Sequence, residues 1–208
     1  MMEACPRPPG RAAGSLGEGS GLQPRRCRSS TVTFKAKGKS MQTPIDASQF
    51  RRIMSRFATG VTVVTTRSGR EVHGLTCNAF CSISLTPCTV MVSVAKDARS
   101  WPLIDRSRIF AVNILSEDQT AISDRFAGRH RDKDDDRFEG IEWTTAVTGA
   151  PVLEGTQGYL DCRVAQAYDG GTHTLFLGEV VGLNLDDSRP PLVFYGSRYM
   201  GVDSLKAL

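Results

Sequence analysis

The chain has 208 residues, 40% of them apolar and 23% charged, which suits one globular domain with a substantial core and leaves little room for a second. Its formal charge of +4 hides an asymmetry: residues 1–40 hold eight Lys/Arg against Glu3 and Glu18, so that stretch is +6 and residues 41–208 are about −2. The body therefore lacks a basic footprint for a phosphate backbone, and no apolar run of about 18 residues is available to span a membrane.

Residues 1–40 mix Gly, Pro, Ser and Arg without periodicity and are expected to be a disordered basic extension. An Arg-rich transit peptide and a start upstream of Met41 both explain it, and the Gly/Pro content favours the second. Residues 41–208 form the expected domain. Its first element is a helix: Ala47, Phe50, Ile53, Met54 and Phe57 recur at three- and four-residue spacing behind Asp46 as N-cap, with Gln49 completing a capping box. This pattern predicts an amphipathic helix packed on a core.

Two β-branched runs follow, Val61–Thr66 and Val72–Phe80, joined by Arg67-Ser-Gly-Arg70 as a hairpin. Further strands are predicted at Thr89–Val94 and Ile109–Ile114, with a short helix at Ser100–Asp105 between them. A second short helix is predicted at Glu117–Phe126 behind Ser116 as N-cap. Residues 129–140 alternate in charge and are expected to be a solvated loop. Strands near Ile141–Thr145, Gly158–Tyr168, His173–Leu183 and Leu192–Tyr195 complete a mainly β (α+β) domain. Strands linked by short turns favour a barrel over a parallel sheet.

Few familiar motifs fit. There is no Gly-x-Gly-x-x-Gly turn in a βαβ setting, which disfavours a Rossmann domain. Gly38-Lys39-Ser40 lacks the first glycine of a phosphate loop, since position 33 is Thr33. Cys77 and Cys81 form an isolated pair, and His73, His130 and His173 are scattered. Burial of the two cysteines on one face of a strand is a simpler reading than a metal site or a cysteine nucleophile. Six cysteines without a secretory signal point to a reducing compartment, the cytoplasm. His173 opens a strand behind Asp169-Gly-Gly-Thr, and spacing alone makes it a histidine at a hairpin turn. The stretch His73–Pro87 places small hydroxyl, thiol and amide side chains in an apolar frame, a composition suited to a flat, polar-edged cofactor.

Several segments, in order, resemble the flavin reductase-like split-barrel family across residues 46–202: Thr59-Gly-Val-Thr-Val-Val-Thr-Thr66, Gly74-Leu-Thr-Cys-Asn-Ala-Phe80, Ser82-Ile-Ser-Leu-Thr-Pro87, Phe110-Ala-Val-Asn-Ile-Leu-Ser116 with Gln119, Arg125-Phe-Ala127, Arg137-Phe138, Gly149-Ala-Pro-Val-Leu153 and Gly171-Thr-His-Thr-Leu-Phe-Leu-Gly-Glu-Val180. The resemblance is to the small reductase components of two-component flavin-diffusible monooxygenases.

The resemblance implies an antiparallel, Greek-key split β-barrel with peripheral helices and a homodimer holding FMN or FAD near its interface. It also implies reduction by NADH or NADPH, an oxygenase partner supplied with reduced flavin, and no nucleic-acid or membrane partner. Thr59, Thr76, Cys77, Asn78 and Ala79 would lie at the isoalloxazine edge, where backbone N–H groups stabilise charge on the pyrimidine oxygens. Ser82 and Ser84 would extend that wall. Ala98, Arg99, Ser100 and Trp101 match a phosphate-contacting stretch. His173 matches a histidine beside the nicotinamide, and Arg198 and Tyr199 match a C-terminal element that closes over the dinucleotide. This chain departs from the common pattern at Thr172, where relatives carry Asp, at Ala79, where many carry Ser, and at Pro87-Cys88, where many carry Pro-Pro. A flavin carrier or sensor without turnover is the alternative, and an oxidase of the pyridoxamine phosphate type a more distant one.

Overall fold

The computed structural model describes residues 45–128 and 136–202. The expected extension at 1–40 and most of the expected loop at 129–140 lie outside the described residues. The framework is one antiparallel seven-stranded sheet. Its strands are β2 (Thr62–Ser68), β3 (Glu71–Cys77), β4 (Phe80–Leu85), β5 (Cys88–Ala95), β6 (Ile109–Ile114), β9 (Gly158–Asp169) and β10 (His173–Leu185), in the spatial order β3-β2-β6-β9-β10-β5-β4. A three-stranded sheet joins β1 (Thr59–Gly60), β11 (Val193–Tyr195) and β12 (Arg198–Met200), and β7 (Trp143–Thr145) pairs with β8 (Pro151–Leu153). The helices are α1 (Ala47–Met54), α2 (Ser100–Ser107) and α3 (Thr120–Phe126), the last preceded by a 3₁₀ turn at Glu117–Gln119.

The expected run Val72–Phe80 is interrupted. β3 ends at Cys77 and β4 begins at Phe80, yet these neighbours in sequence occupy opposite edges of the sheet. Two residues, Asn78 and Ala79, carry the chain from one edge to the other, so the sheet has to curl until its edges nearly meet. The Ser93 N–H on β5 donates to Ala79 O at 3.0 Å, and the Cys77 thiol lies 3.7 Å from Ser93 O. Cys77 and Cys81 therefore do not share a strand face: Cys77 is buried and Cys81 exposed.

Both faces of the curled sheet are covered at β2, one strand in from the β3 edge. Val64, Val90, Val92, Val94, Phe110, Val112, Cys162 and Phe176 fill the interior, with Ile104 of α2 among them. On the other side Val61, Val63, Leu115, Phe126, Phe138, Leu153 and Leu192 make a second cluster. This is why Val61–Thr66 is buried at every position rather than alternately. Asn113 ties the layers together: its Nδ2 donates to Val63 O at 3.0 Å, and its Oδ1 accepts from Leu153 N at 2.8 Å.

α1 departs from expectation. Asp46 caps it, accepting from Ser48 N at 3.1 Å and Gln49 N at 3.3 Å, but no residue of the helix is buried. Ile53 is 65% exposed and Phe57, just beyond it, 68%. Its periodicity made an apolar face; nothing within the described residues covers that face.

Close packing sets Gly178, at a bulge in β10, against Phe110: a Cβ there would lie 2.4 Å from Phe110 Cζ and 2.9 Å from Cys162 Cβ. Both neighbours are fully buried. Gly178→Ala is expected to destabilise the fold by about 2–3 kcal/mol, within the range of core overpacking. Urea unfolding would show a lower midpoint at unchanged slope.

Candidate functional site

The seam at Asn78-Ala79 gathers three cavities. One of about 310 Å³ is bounded by Met54, Phe57, Thr59, Asn78, Ala79, Phe80, Cys81 and Met91. A second, about 330 Å³, has Phe57, Thr59, Gly60, Thr62, Asn78 and Phe80 in its walls. The third, about 210 Å³, lies on the other side of Asn78, between Thr76, Ser123, Ala127, Phe194 and Tyr199. Thr59, Thr76, Asn78, Ala79 and Tyr199, named from the sequence, thus meet around one stretch of backbone. Asn78 Nδ2 reaches Thr59 Oγ1 at 3.4 Å. No acceptor among the described residues takes the backbone N–H of Asn78 or Ala79. Exposed, unpaired donors at a seam walled by apolar side chains fit the polar edge of a flat heterocycle such as a flavin.

Side-chain roles differ from expectation. The Thr76 hydroxyl donates to Ser123 O at 2.6 Å and so fastens β3 to α3 rather than facing the cavities beside Ala79. Tyr199 packs on Phe194 with ring centroids 5.6 Å apart, and its hydroxyl lies 2.9 Å from Ser123 Oγ and donates to Asp124 Oδ1 at 2.8 Å. Arg198 is exposed beside it. Ser82 and Ser84 lie on β4 but not in the walls of these cavities, and Ser84 Oγ accepts from Thr86 N at 3.2 Å. The Cys77 thiol is pushed up in pKa by burial, and Cys162 up to about 12 by burial and the neighbouring Asp161, so neither is a ready nucleophile.

The stretch Ala98–Trp101 enters α2. Ser100 is fully buried and its Oγ lies 3.2 Å from Nδ1 of His73, while Trp101 Nε1 donates to Thr174 Oγ1 at 2.8 Å. Arg99 stays exposed. The half-buried His73, which heads the stretch expected to suit a cofactor, sits instead in a cationic corner with Arg99 and Arg137. Arg137 donates to Gly74 O at 3.2 Å and Phe126 O at 2.6 Å. Arg137 reaches that corner by meeting Gly74, 63 positions away in sequence, so spacing carried no signal for it.

His173 is exposed at the start of β10, opposite Ala95 of β5. Its Nδ1 lies 2.9 Å from Thr172 Oγ1. Asp169 is committed elsewhere: its Oδ1 accepts from Lys96 Nζ at 2.8 Å and from Gly171 N at 2.8 Å, and those bonds hold its carboxyl below the usual range. The Ser93 N–H that binds Ala79 O belongs to the strand register Ser93↔Leu175, which places His173 two residues along β10 from the seam's row. Among the described residues no group of three or more His, Cys, Asp or Glu could hold a metal ion.

The sequence from residue 54 to 203 matches the model of the flavin reductase like domain. The chain belongs to that family. It is 38% identical over 164 residues to the reductase subunit HsaB of a flavin-dependent monooxygenase from Rhodococcus jostii, covering 79% of this chain and 82% of the relative. Nitrilotriacetate monooxygenase component B of Mycobacterium thermoresistibile superposes with a TM-score of 0.71 at 37% identity, covering 77% of this chain and 89% of the other. The NADH:FAD oxidoreductase SgcE6 of Streptomyces globisporus, solved with NAD and FAD fragments, gives 0.70 at 37% identity, covering 76% and 93%. The split-barrel expectation is borne out in this family's fold, and the seam that carries its cavities is the family segment Gly74–Phe80.

The cationic corner has a measurable consequence. Burial, then the charges of Arg137 and Arg99, lowers the His73 pKa from 6.5 to about 4. An unfolded chain takes up a proton near pH 6.5 and the folded one only near 4, so stability is complete above that window and falls as pH drops through it. His73→Gln is expected to flatten the fall between pH 6.5 and 4 by on the order of 1 kcal/mol, since the ring stays partly solvated. Urea midpoints at the two ends of the window would measure it.

Proposed function

We propose that this flavin reductase-family chain transfers reducing equivalents from NADH or NADPH to FAD or FMN and releases the reduced flavin to a separate monooxygenase, in the cytoplasm. The observation that carries the reading is the convergence of the cavities on the unpaired donors of Asn78 and Ala79 at the barrel seam. These N–H groups would hold the pyrimidine edge of the flavin, and Phe57, Phe80 and Met91 would exclude water from its rings. Bound there, the flavin supplies the hydride acceptor, on which negative charge develops near those donors. His173 would orient the nicotinamide, and Arg99 would attract phosphate oxygens.

Family membership and the relative named an NADH-dependent FAD reductase, 38% identical over 157 residues, support turnover over a passive carrier. The purified protein is expected to oxidise NADH or NADPH with saturable dependence on added FAD or FMN. His173→Ala should raise the nicotinamide KM about tenfold while the flavin KM stays within about twofold. Flavin binding without any nicotinamide oxidation would select the carrier reading instead.

A homodimer accompanies this reading. The uncovered apolar residues Phe50, Ile53, Met54 and Phe57 are continuous with the cavity walls, and a second copy laid on that face would shield both the apolar surface and the bound flavin. Ile53→Glu is expected to shift sedimentation from dimer toward monomer and to weaken flavin binding in titration, with the circular dichroism of the barrel retained.

A further inference from the structure

We infer that Thr172 is the positioning residue of His173, its hydroxyl donating to Nδ1 and so fixing the imidazole tautomer that turns a protonated Nε2 outward toward an acceptor oxygen of the nicotinamide carboxamide. The inference rests on the nicotinamide-side reading of His173 and adds to it a mechanism of orientation.

The turn that carries the pair is tightly held. Lys96 N donates to Thr172 O at 3.0 Å, Gly170 N donates to His173 O at 2.9 Å, and His173 itself pairs with Ala95. With the backbone held on both sides, the Thr172 side chain stands beside the ring, its hydroxyl 2.9 Å from Nδ1. The nearby carboxylate of Asp169 is occupied by Lys96 and the Gly171 N–H, so it does not serve the ring. Among the described residues Nδ1 of His173 is the hydrogen-bond partner of the Thr172 hydroxyl, which can donate its one proton to the Nδ1 lone pair. When Nδ1 accepts, a neutral imidazole carries its proton on Nε2, because the hydrogen bond at one ring nitrogen decides the state of the other. A carboxylate at position 172 would accept only, and would demand the proton on Nδ1. A hydroxyl that donates to Nδ1 thus leaves Nε2 a donor toward the nicotinamide, whereas a carboxylate leaves it an acceptor.

Three variants test this in the full-length protein. Thr172→Val keeps the β-branched shape without the hydroxyl, Thr172→Ser restores the hydroxyl, and Thr172→Asp offers an acceptor only. Ring nitrogen shifts of ¹⁵N-labelled protein, measured well above neutral pH and assigned by loss of signal in His173→Ala, report the tautomer independently of turnover. The wild type and Thr172→Ser are expected to carry the proton on Nε2, and Thr172→Asp on Nδ1. Thr172→Val is expected to raise the nicotinamide KM about fivefold, the weight of one ordinary hydrogen bond, with the flavin KM unchanged and Thr172→Ser near wild type. A wild-type ring protonated on Nδ1 would overturn the inference. So would a Thr172→Val nicotinamide KM equal to wild type when His173→Ala raises it, which leaves the role of His173 intact. An unchanged nicotinamide KM in His173→Ala would instead remove the underlying reading, and with it the assigned use of Nε2.

Discussion

Two residues join the opposite edges of the seven-stranded sheet, and this constraint governs the rest of the molecule. A chain that leaves β3 at Cys77 and enters β4 at Phe80 can reach across only if the sheet curls into a nearly closed barrel. The curl brings the two edges together at the seam but leaves the linking peptides outside either ladder. Among the described residues nothing accepts from their donors, because the geometry that brings the edges together does not align them for pairing. The candidate site at this point is therefore a by-product of closing the barrel.

The surrounding contacts keep that seam in place. The Cys77 side chain is buried beside Ser93 O, Thr62 Oγ1 donates to Cys77 O at 2.6 Å, and Thr76 is fastened to Ser123 on the outer side. Successive residues of one strand are held from within the barrel and from outside it. Tyr199 extends the outer fastening, since Ser123 and the adjacent Asp124 both meet its hydroxyl. The C-terminal hairpin, α3 and β3 thus form one connected block behind Asn78, and a change in any of them reaches the seam through hydrogen bonds rather than through loose packing.

Much of this fold was legible in the chain. The hairpin at Arg67–Arg70, the β-branched runs and the helix behind Ser100 declared themselves through period and turn chemistry, which are local properties. The break at Asn78-Ala79 was not legible by the same means, because Val72 to Phe80 has strand composition throughout; the partner strands, not the residues, end β3. The helix of Phe50, Ile53 and Met54 shows the converse. Its period correctly gave an amphipathic helix, but periodicity says which face is apolar and not what lies against it. Around the candidate site, Thr76, Asn78 and Ala79 could be named from their segment and do meet at the seam, while the fastening of Thr76 and the corner of His73 and Arg137 depend on contacts between distant residues. Short 3₁₀ geometry at Glu117–Gln119 was also invisible, since the capping pattern of Ser116 and Gln119 serves both helix types; Ser116 N still donates to Gln119 Oε1 at 3.2 Å.

The two described histidines illustrate how the same side chain is given opposite tasks by its surroundings. His73 is enclosed between a buried serine and two arginines, so the fold favours its neutral form, and Nε2 is buried with no partner among the described residues. A ring in that position stiffens the junction of β3 and α2, and a proton there would add a third positive charge to the corner. His173 stands exposed at a hairpin mouth with its Nδ1 occupied by Thr172. An exposed imidazole can meet a ligand only if something limits its rotation, because free rotamers would have to be immobilised at the moment of binding. The short, fixed turn from Asp169 to His173 supplies that limit: Asp169 neutralises Lys96, the glycines permit the reversal, and Thr172 alone remains to set the ring.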